Sequence, residues 1–315
     1  MMSRSTSDDS ALRGAESIRT AFKKGDDVRD AGLTTPDSIV RNDDIVYGAD
    51  PQWNLLDVYR PAEATGPLPC IVSVHGGAWV YGDKELYQYY CMDLATRGFA
   101  VVNFTYRLAP EHRYPAALQD TADVFLWVAA HAAEYGIDPE NVIVVGDSAG
   151  AQIASQYLAA ITNESYGAAV GIEPPCGIAI RACALNCGDY DLLSKSAGPA
   201  TAFAKFYLPA DRVIPREELD VIGAITSDFP PTYLLTAPQD FLREENLRFA
   251  PLLRERGVEC VLQDEPQENL GHVFHLAIRD DAARRTNDAE CAFFRAHLAR
   301  VAADPQQDET DRGKI

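Results

Sequence analysis

Val142-Ile143-Val144-Val145-Gly146-Asp147-Ser148-Ala149-Gly150 joins two kinds of pattern across one serine. The four β-branched residues form a continuous apolar run, the mark of a strand buried on both faces of a sheet. From Ala149 to Ile161, small and apolar residues recur at helical spacing, which predicts a helix. Ser148 therefore falls on a strand-to-helix turn, and Gly146 and Gly150 leave room for a tight bend. On such a turn the backbone is strained and the hydroxyl projects past the edge of the sheet, where a substrate can reach it. A helix-capping serine is the plain alternative. The buried strand before it and the two glycines favour a nucleophile.

The same alternation extends in both directions. Strands are expected at Asn54–Tyr59, Cys70–Val74, Ala100–Phe104, Ile178–Leu185, Thr232–Thr236 and Glu259–Leu262, and helices at Leu86–Thr96, Ala116–Ala132, Glu244–Arg256 and Asp280–Val301. Gly98 and Gly257 stand just past two of these helices, where a left-handed cap is wanted. Strands alternating with helices imply an α/β fold with a mostly parallel sheet covered on both faces. Residues 187–225 break the rhythm with Gly188, Gly198, Pro199, Pro209 and Pro215 among aromatic residues. A connection that long is usually functional, and we read it as a helical insertion forming part of a lid. Residues 1–40 are polar with a weak helical stripe through Leu12, Ala15, Ile18 and Phe22. Residues 302–315 read as a frayed tail.

Composition narrows the partners. The 315 residues carry 28 Lys and Arg against 47 Asp and Glu, a net charge of −19. A field of that sign repels phosphate backbones and anionic membrane surfaces, so neither nucleic acid nor membrane is expected. The seven cysteines, at 70, 91, 176, 183, 187, 260 and 291, form no Cys-x-x-Cys pair. Reduced thiols in a cytoplasm fit better than a disulfide framework. Cys176, Cys183 and Cys187 are close in sequence but lack a visible fourth ligand, so no metal site is expected. The N-terminus lacks the apolar core of a signal peptide. The longest apolar run, Val124 to Ala130, is too short to span a bilayer. A cytoplasmic location is expected, and a homodimer is left open.

A serine at its ordinary pKa needs a base, and the base needs a carboxylate to orient it. Of the six histidines, His131 and His297 lie inside expected helices and His112 lies early, in a loop. His75 begins His75-Gly-Gly-Ala-Trp79 and is expected to brace that glycine loop. Gly271-His272-Val-Phe-His275 follows the last strand, at the edge where a parallel sheet presents its catalytic groups. His272 is preferred because it follows Gly271 on the loop, with His275 as the alternative. Asp240 follows the strand Thr232–Thr236 by a short turn and lies between serine and histidine in the chain, the order such a fold uses. Asp264 is its rival; Glu244 also competes, and Asp228 precedes its strand and so lies at the wrong end. Acyl transfer also needs donors for the oxyanion of the tetrahedral intermediate. The N–H groups of Gly76, Gly77 and Ala149 are assigned to it. Trp79, Tyr81, Phe203, Phe206 and Tyr207 could line an apolar pocket or simply pack the lid.

Taken together, His75-Gly-Gly-Ala-Trp79, Tyr106-Arg-Leu-Ala-Pro-Glu111, Gly146-Asp-Ser-Ala-Gly150, the Asp240 turn and His272-Val-Phe274 resemble the hormone-sensitive-lipase-like branch of the α/β-hydrolase esterases, over residues 45–300. The resemblance implies an eight-stranded core at residues 46–186 and 226–301, with a cap built from residues 1–45 and the insertion 187–225. It also implies hydrolysis of short-acyl carboxylic esters through an acyl-enzyme, without a cofactor, and supporting roles for Asp147 and Glu111. This chain departs from the family pattern at Ala78, where a third glycine is usual. It departs again at Asp240-Phe-Leu-Arg-Glu244, in place of Asp-Pro-Leu-x-Asp, and at Val273, where glycine is more frequent. A deacetylase or amidase would use the same groups, and a non-catalytic binder of small molecules is the alternative of a different class.

Overall fold

The computed structural model describes residues 6–191, 199–209 and 213–299. The tail expected at 302–315 lies outside the described residues. In chain order the elements are α1 (Thr6–Asp30), β1 (Ile39–Val46), β2 (Leu55–Pro61), β3 (Leu68–Val74), α2 (Lys84–Ala95), β4 (Ala100–Phe104), α3 (Ala116–His131), β5 (Ile137–Asp147), α4 (Ala149–Thr162), α5 (Glu164–Val170), β6 (Ile180–Asn186), α6 (Pro199–Tyr207), α7 (Arg216–Leu219), α8 (Val221–Ala224), β7 (Thr232–Thr236), α9 (Arg243–Glu255), β8 (Cys260–Asp264) and α10 (Asp281–His297).

The strands form one eight-stranded sheet in the order β1-β2-β4-β3-β5-β6-β7-β8. β1 and β2 pair antiparallel, as do β2 and β4. From β4 to β8 every pairing is parallel. The apolar runs that predicted the strands are the reason: β4 and β7 are buried along their whole length, because helices cover both faces.

Register carries this into function. Val74 of β3 sits beside Gly146 of β5, Asp147 beside Asn186 of β6, and Thr236 of β7 beside Asp264 of β8. The segments that leave these carboxyl ends therefore emerge side by side along one rim. Such a rim, where strand order changes direction, is where open parallel sheets bind ligands.

Three elements exceed the sequence expectation, the short helix α5 after α4 being the first. β1 was not expected, because its Ile39-Val-Arg-Asn-Asp-Asp-Ile-Val46 is an edge strand with mostly exposed residues and carries a register shift between Asn42 and Ile45. α1 runs for 25 residues although its stripe is weak. Its position comes from specific contacts: Arg19 makes a bidentate pair with Glu111, at 2.9 and 2.7 Å, and also donates to the carbonyls of Val80 and Ala109. Glu111 thus fastens α1 across the rim. Among residues 187–225 the structure has α6, α7 and α8, and Tyr207 of α6 stacks on Trp79 at 5.1 Å.

Candidate active site

Ser148 stands between β5 and α4 with φ 52° and ψ −118°, a left-handed backbone on a non-glycine residue. Its N–H donates to the Asn186 carbonyl at 2.9 Å, which ties the strained turn to the neighbouring strand. Gly150 makes the turn possible, since a Cβ there would come within 2.1 Å of the Val74 carbonyl oxygen. The serine hydroxyl lies 2.9 Å from Nε2 of His272, and Nδ1 of the same ring lies 2.7 Å from Oδ1 of Asp240. Asp240 also accepts from the Thr236 hydroxyl at 2.8 Å and from the Leu242 N–H at 3.0 Å. The loops that carry the acid and the histidine are pinned together by a parallel bridge between Gln239 and Gly271, with the Gln239 N–H donating to the Leu270 carbonyl at 2.9 Å.

Electrostatics fix the proton positions. Burial raises the Asp240 pKa, but the His272 hydrogen bond and charge, with the Leu242 and Thr236 donors, outweigh it and hold the carboxyl below its ordinary range. An ionised carboxylate only accepts, so Nδ1 carries the hydrogen and Nε2 is left to accept from the serine. The arrangement can take a proton from Ser148 and hold the resulting imidazolium.

The competitors are engaged elsewhere. Asp264 pairs with Arg243 at 2.6 Å. Asp228 and Glu244 are exposed. His275 is fully buried, neither ring nitrogen has a hydrogen-bond partner among the described residues, and burial pushes its pKa down to about 3. His75 is also buried, with its pKa lowered to about 4; its Nδ1 contacts the Gly76 carbonyl at 2.8 Å and its ring stacks on Tyr106 at 4.0 Å. That is a brace for the glycine loop.

One assignment needs correction. The Gly76 N–H donates to the Tyr87 hydroxyl at 2.9 Å, so this donor is already taken and is not free to meet an oxyanion. The chain turns over at the next residues: Gly77 has φ 112°, and a Cβ there would come within 2.0 Å of the Tyr81 carbonyl oxygen. Among the described residues, the N–H groups of Gly77, Ala78 and Ala149 have no acceptor in the protein, and all three residues line the same cavity. The offset by one residue arises because Tyr87 claims the first donor, and nothing in the α2 sequence marks that tyrosine. Tyr87 in turn donates to Asp147 at 2.8 Å, so it bridges the serine turn and the glycine loop.

The cavity measures about 530 Å³, within the usual range for small-molecule sites. Its walls are mainly apolar, from Phe22, Trp79, Tyr81, Leu86, Phe203, Phe241, Leu242, Val273 and Leu276, with Asp26 and Arg29 of α1 at one corner. Of the aromatics proposed from sequence, Trp79, Tyr81 and Phe203 line it, whereas Phe206 and Tyr207 are buried elsewhere. Phe22 and Phe241 were not foreseen there. Behind the site, the buried Cys187 places its sulfur within 4.8 Å of ligand atoms of Asp240 and His272. Those two residues are already bonded to each other, and burial raises the Cys187 pKa well above its ordinary value, so the thiol stays protonated and is a poor metal ligand. No helix among the described residues is long and apolar enough to cross a membrane.

Residues 71–276 match the family model described as alpha/beta hydrolase fold. The chain belongs to that family, in its hormone-sensitive-lipase-like branch. Carboxylesterase NlhH of Mycobacterium tuberculosis is 32% identical over 253 residues, which cover 76% of this chain and 77% of that one. Among solved structures, esterase B from Lactobacillus rhamnosis superposes with a TM-score of 0.83 over 98% of this chain and 100% of its own, at 23% identity, a likeness of fold alone. An esterase from Pyrobaculum calidifontis superposes with a TM-score of 0.73 at 25% identity, over 90% of this chain and 94% of its own.

Proposed function

We propose that this carboxylic ester hydrolase cleaves short-acyl esters by two-step acyl transfer at Ser148. The supporting observation is the continuous hydrogen-bonded line from Ser148 through His272 to Asp240 at 2.9 and 2.7 Å, opening into an apolar cavity. Ser148 attacks the ester carbonyl while His272 takes its proton, and Asp240 stabilises the imidazolium. The N–H groups of Gly77, Ala78 and Ala149 hold the oxyanion; losing one such donor costs about 3 kcal/mol of barrier. His272 gives its proton to the departing alkoxide, and the acyl-enzyme is released by water that the same histidine activates.

The cavity volume and its apolar walls suit a compact acyl group. p-Nitrophenyl esters of increasing acyl length, assayed beside Ser148→Ala, test the reading. Turnover is expected to be greatest with short acyl chains and to vanish in the variant. Equal activity in Ser148→Ala would remove the nucleophile, and an optimum at long chains would overturn the short-acyl assignment.

A further inference from the structure

The geometry points to Phe241 as the residue that selects the alcohol half of the ester, favouring an aryl leaving group. This rests on the esterase reading above and goes beyond it by naming a substrate class. Phe241 directly follows the carboxylate Asp240, and its ring lies 4.2 Å, centroid to centroid, from the His272 imidazole at an interplanar angle of 41°. It lines the cavity, yet 52% of its surface is exposed. Leu242, the next residue, is buried and anchored through its N–H to Asp240. An apolar ring left open beside a buried, hydrogen-bonded turn has a free face toward the cavity, and burying that face on a ligand is favourable.

Which half of the substrate meets it follows from the proton path. When the tetrahedral intermediate collapses, the C–O bond to the alcohol breaks. The electron pair stays on that oxygen, which takes the proton from Nε2 of His272. The leaving oxygen must therefore lie within hydrogen-bond reach of Nε2. A group attached directly to that oxygen sits over the imidazole, on the side that Phe241 flanks. In a phenyl ester the first ring carbon is one bond from that oxygen, so the ring falls within contact of Phe241, whereas an ethyl group offers only two carbons. Aromatic pairs prefer the tilted or offset arrangements that this open ring face permits. The acyl half carries no atom that His272 protonates, and the other aromatic walls of the cavity, where Phe22 meets Tyr81 at 5.8 Å and Phe203 at 6.2 Å, are left for it.

The test is kcat/KM, which reports the acylation step in which the alcohol departs, for phenyl acetate, ethyl acetate and phenyl butyrate with wild type, Phe241→Ala and Phe241→Tyr. Comparing each variant with wild type on the same ester cancels the intrinsic difference between phenol and ethanol as leaving groups. Phe241→Ala is expected to lower kcat/KM on phenyl acetate and phenyl butyrate alike, by roughly 3- to 10-fold, and to change ethyl acetate by less than about twofold. Phe241→Tyr keeps the ring and should retain the wild-type preference. An equal fall on phenyl and ethyl acetate would show that the ring merely positions His272 and would overturn the inference. A fall that depends on the acyl chain would also overturn it, by placing Phe241 on the acyl side. If no Ser148-dependent turnover occurs on any of the esters, the esterase reading itself fails; a uniform fall with turnover intact sinks only the role of Phe241.

Discussion

Asp240 and Asp147 are carboxyls of the same rim with almost the same exposure, 5% and 3%, yet their pKa values are pushed in opposite directions. Asp240 accepts from His272, Thr236 and Leu242 and is held below the ordinary carboxyl range. Asp147 has Tyr87 as its side-chain donor, and burial raises its pKa to about 6. Glu290 lies one layer further back on α10. It accepts from Asn186 at 2.8 Å and weakly from Tyr90 at 3.4 Å, and burial raises its pKa to about 7. The histidines differ in burial: His272 lines the cavity, while His275, three residues on, is fully buried and its pKa is pushed down to about 3. Burial is common to all three carboxyls, so it is the facing imidazole together with the Thr236 and Leu242 donors that holds Asp240 low enough to support an imidazolium.

Breaking the charged side should give the largest effect. Asp240→Asn keeps the shape but removes the acceptor that sets the His272 tautomer. In serine hydrolases with this arrangement such a change costs on the order of 10⁴-fold in kcat, and a similar loss is expected here with the fold intact by circular dichroism. A loss below about tenfold would mean that the ion pair does not set the tautomer.

The buried carboxyl with the raised pKa, Glu290, should respond in stability rather than rate. The folded-state pKa of Glu290 is raised from the ordinary 4.5 to about 7. The stability associated with its protonated form is therefore fully present below about pH 4.5 and lost as pH rises through about 7. At 1.36 kcal/mol per pH unit, that gap is worth roughly 3 kcal/mol as an upper figure. Glu290→Gln, which cannot ionise, should be more favourable relative to wild type at pH 8.5 than at pH 5 in urea melts. An equal difference at the two pH values would place the carboxylate in a better-solvated setting than its 1% exposure indicates.

The same contrast explains what was legible in the sequence. Ser148 directly follows β5, and Asp240 and His272 lie on the loops that leave β7 and β8; strands buried on both faces announce themselves as apolar runs, so these loops could be located from the sequence. β1 could not, because an exposed edge strand has no apolar run. Gly76 was misassigned because the orientation of a loop N–H depends on a partner, Tyr87, eleven residues away on a helix. The cavity walls were half visible: Trp79 and Tyr81 lie beside the glycine motif, but Phe22 reaches the site through α1, which is held there by distant pairings such as Arg19 with Glu111, 92 residues apart, and Asp26 with Tyr81. Local chemistry leaves a local pattern; packing between distant segments does not.

Covalent trapping reports on the nucleophile itself. A p-nitrophenyl alkylphosphonate loses p-nitrophenolate when a serine oxygen attacks phosphorus, leaving a stable adduct that mass spectrometry can locate. The account predicts one adduct per chain, on the peptide that contains Ser148, with complete loss of activity and no labelling of Ser148→Ala. Inactivation with the adduct on another residue, or full labelling of Ser148→Ala, would contradict it.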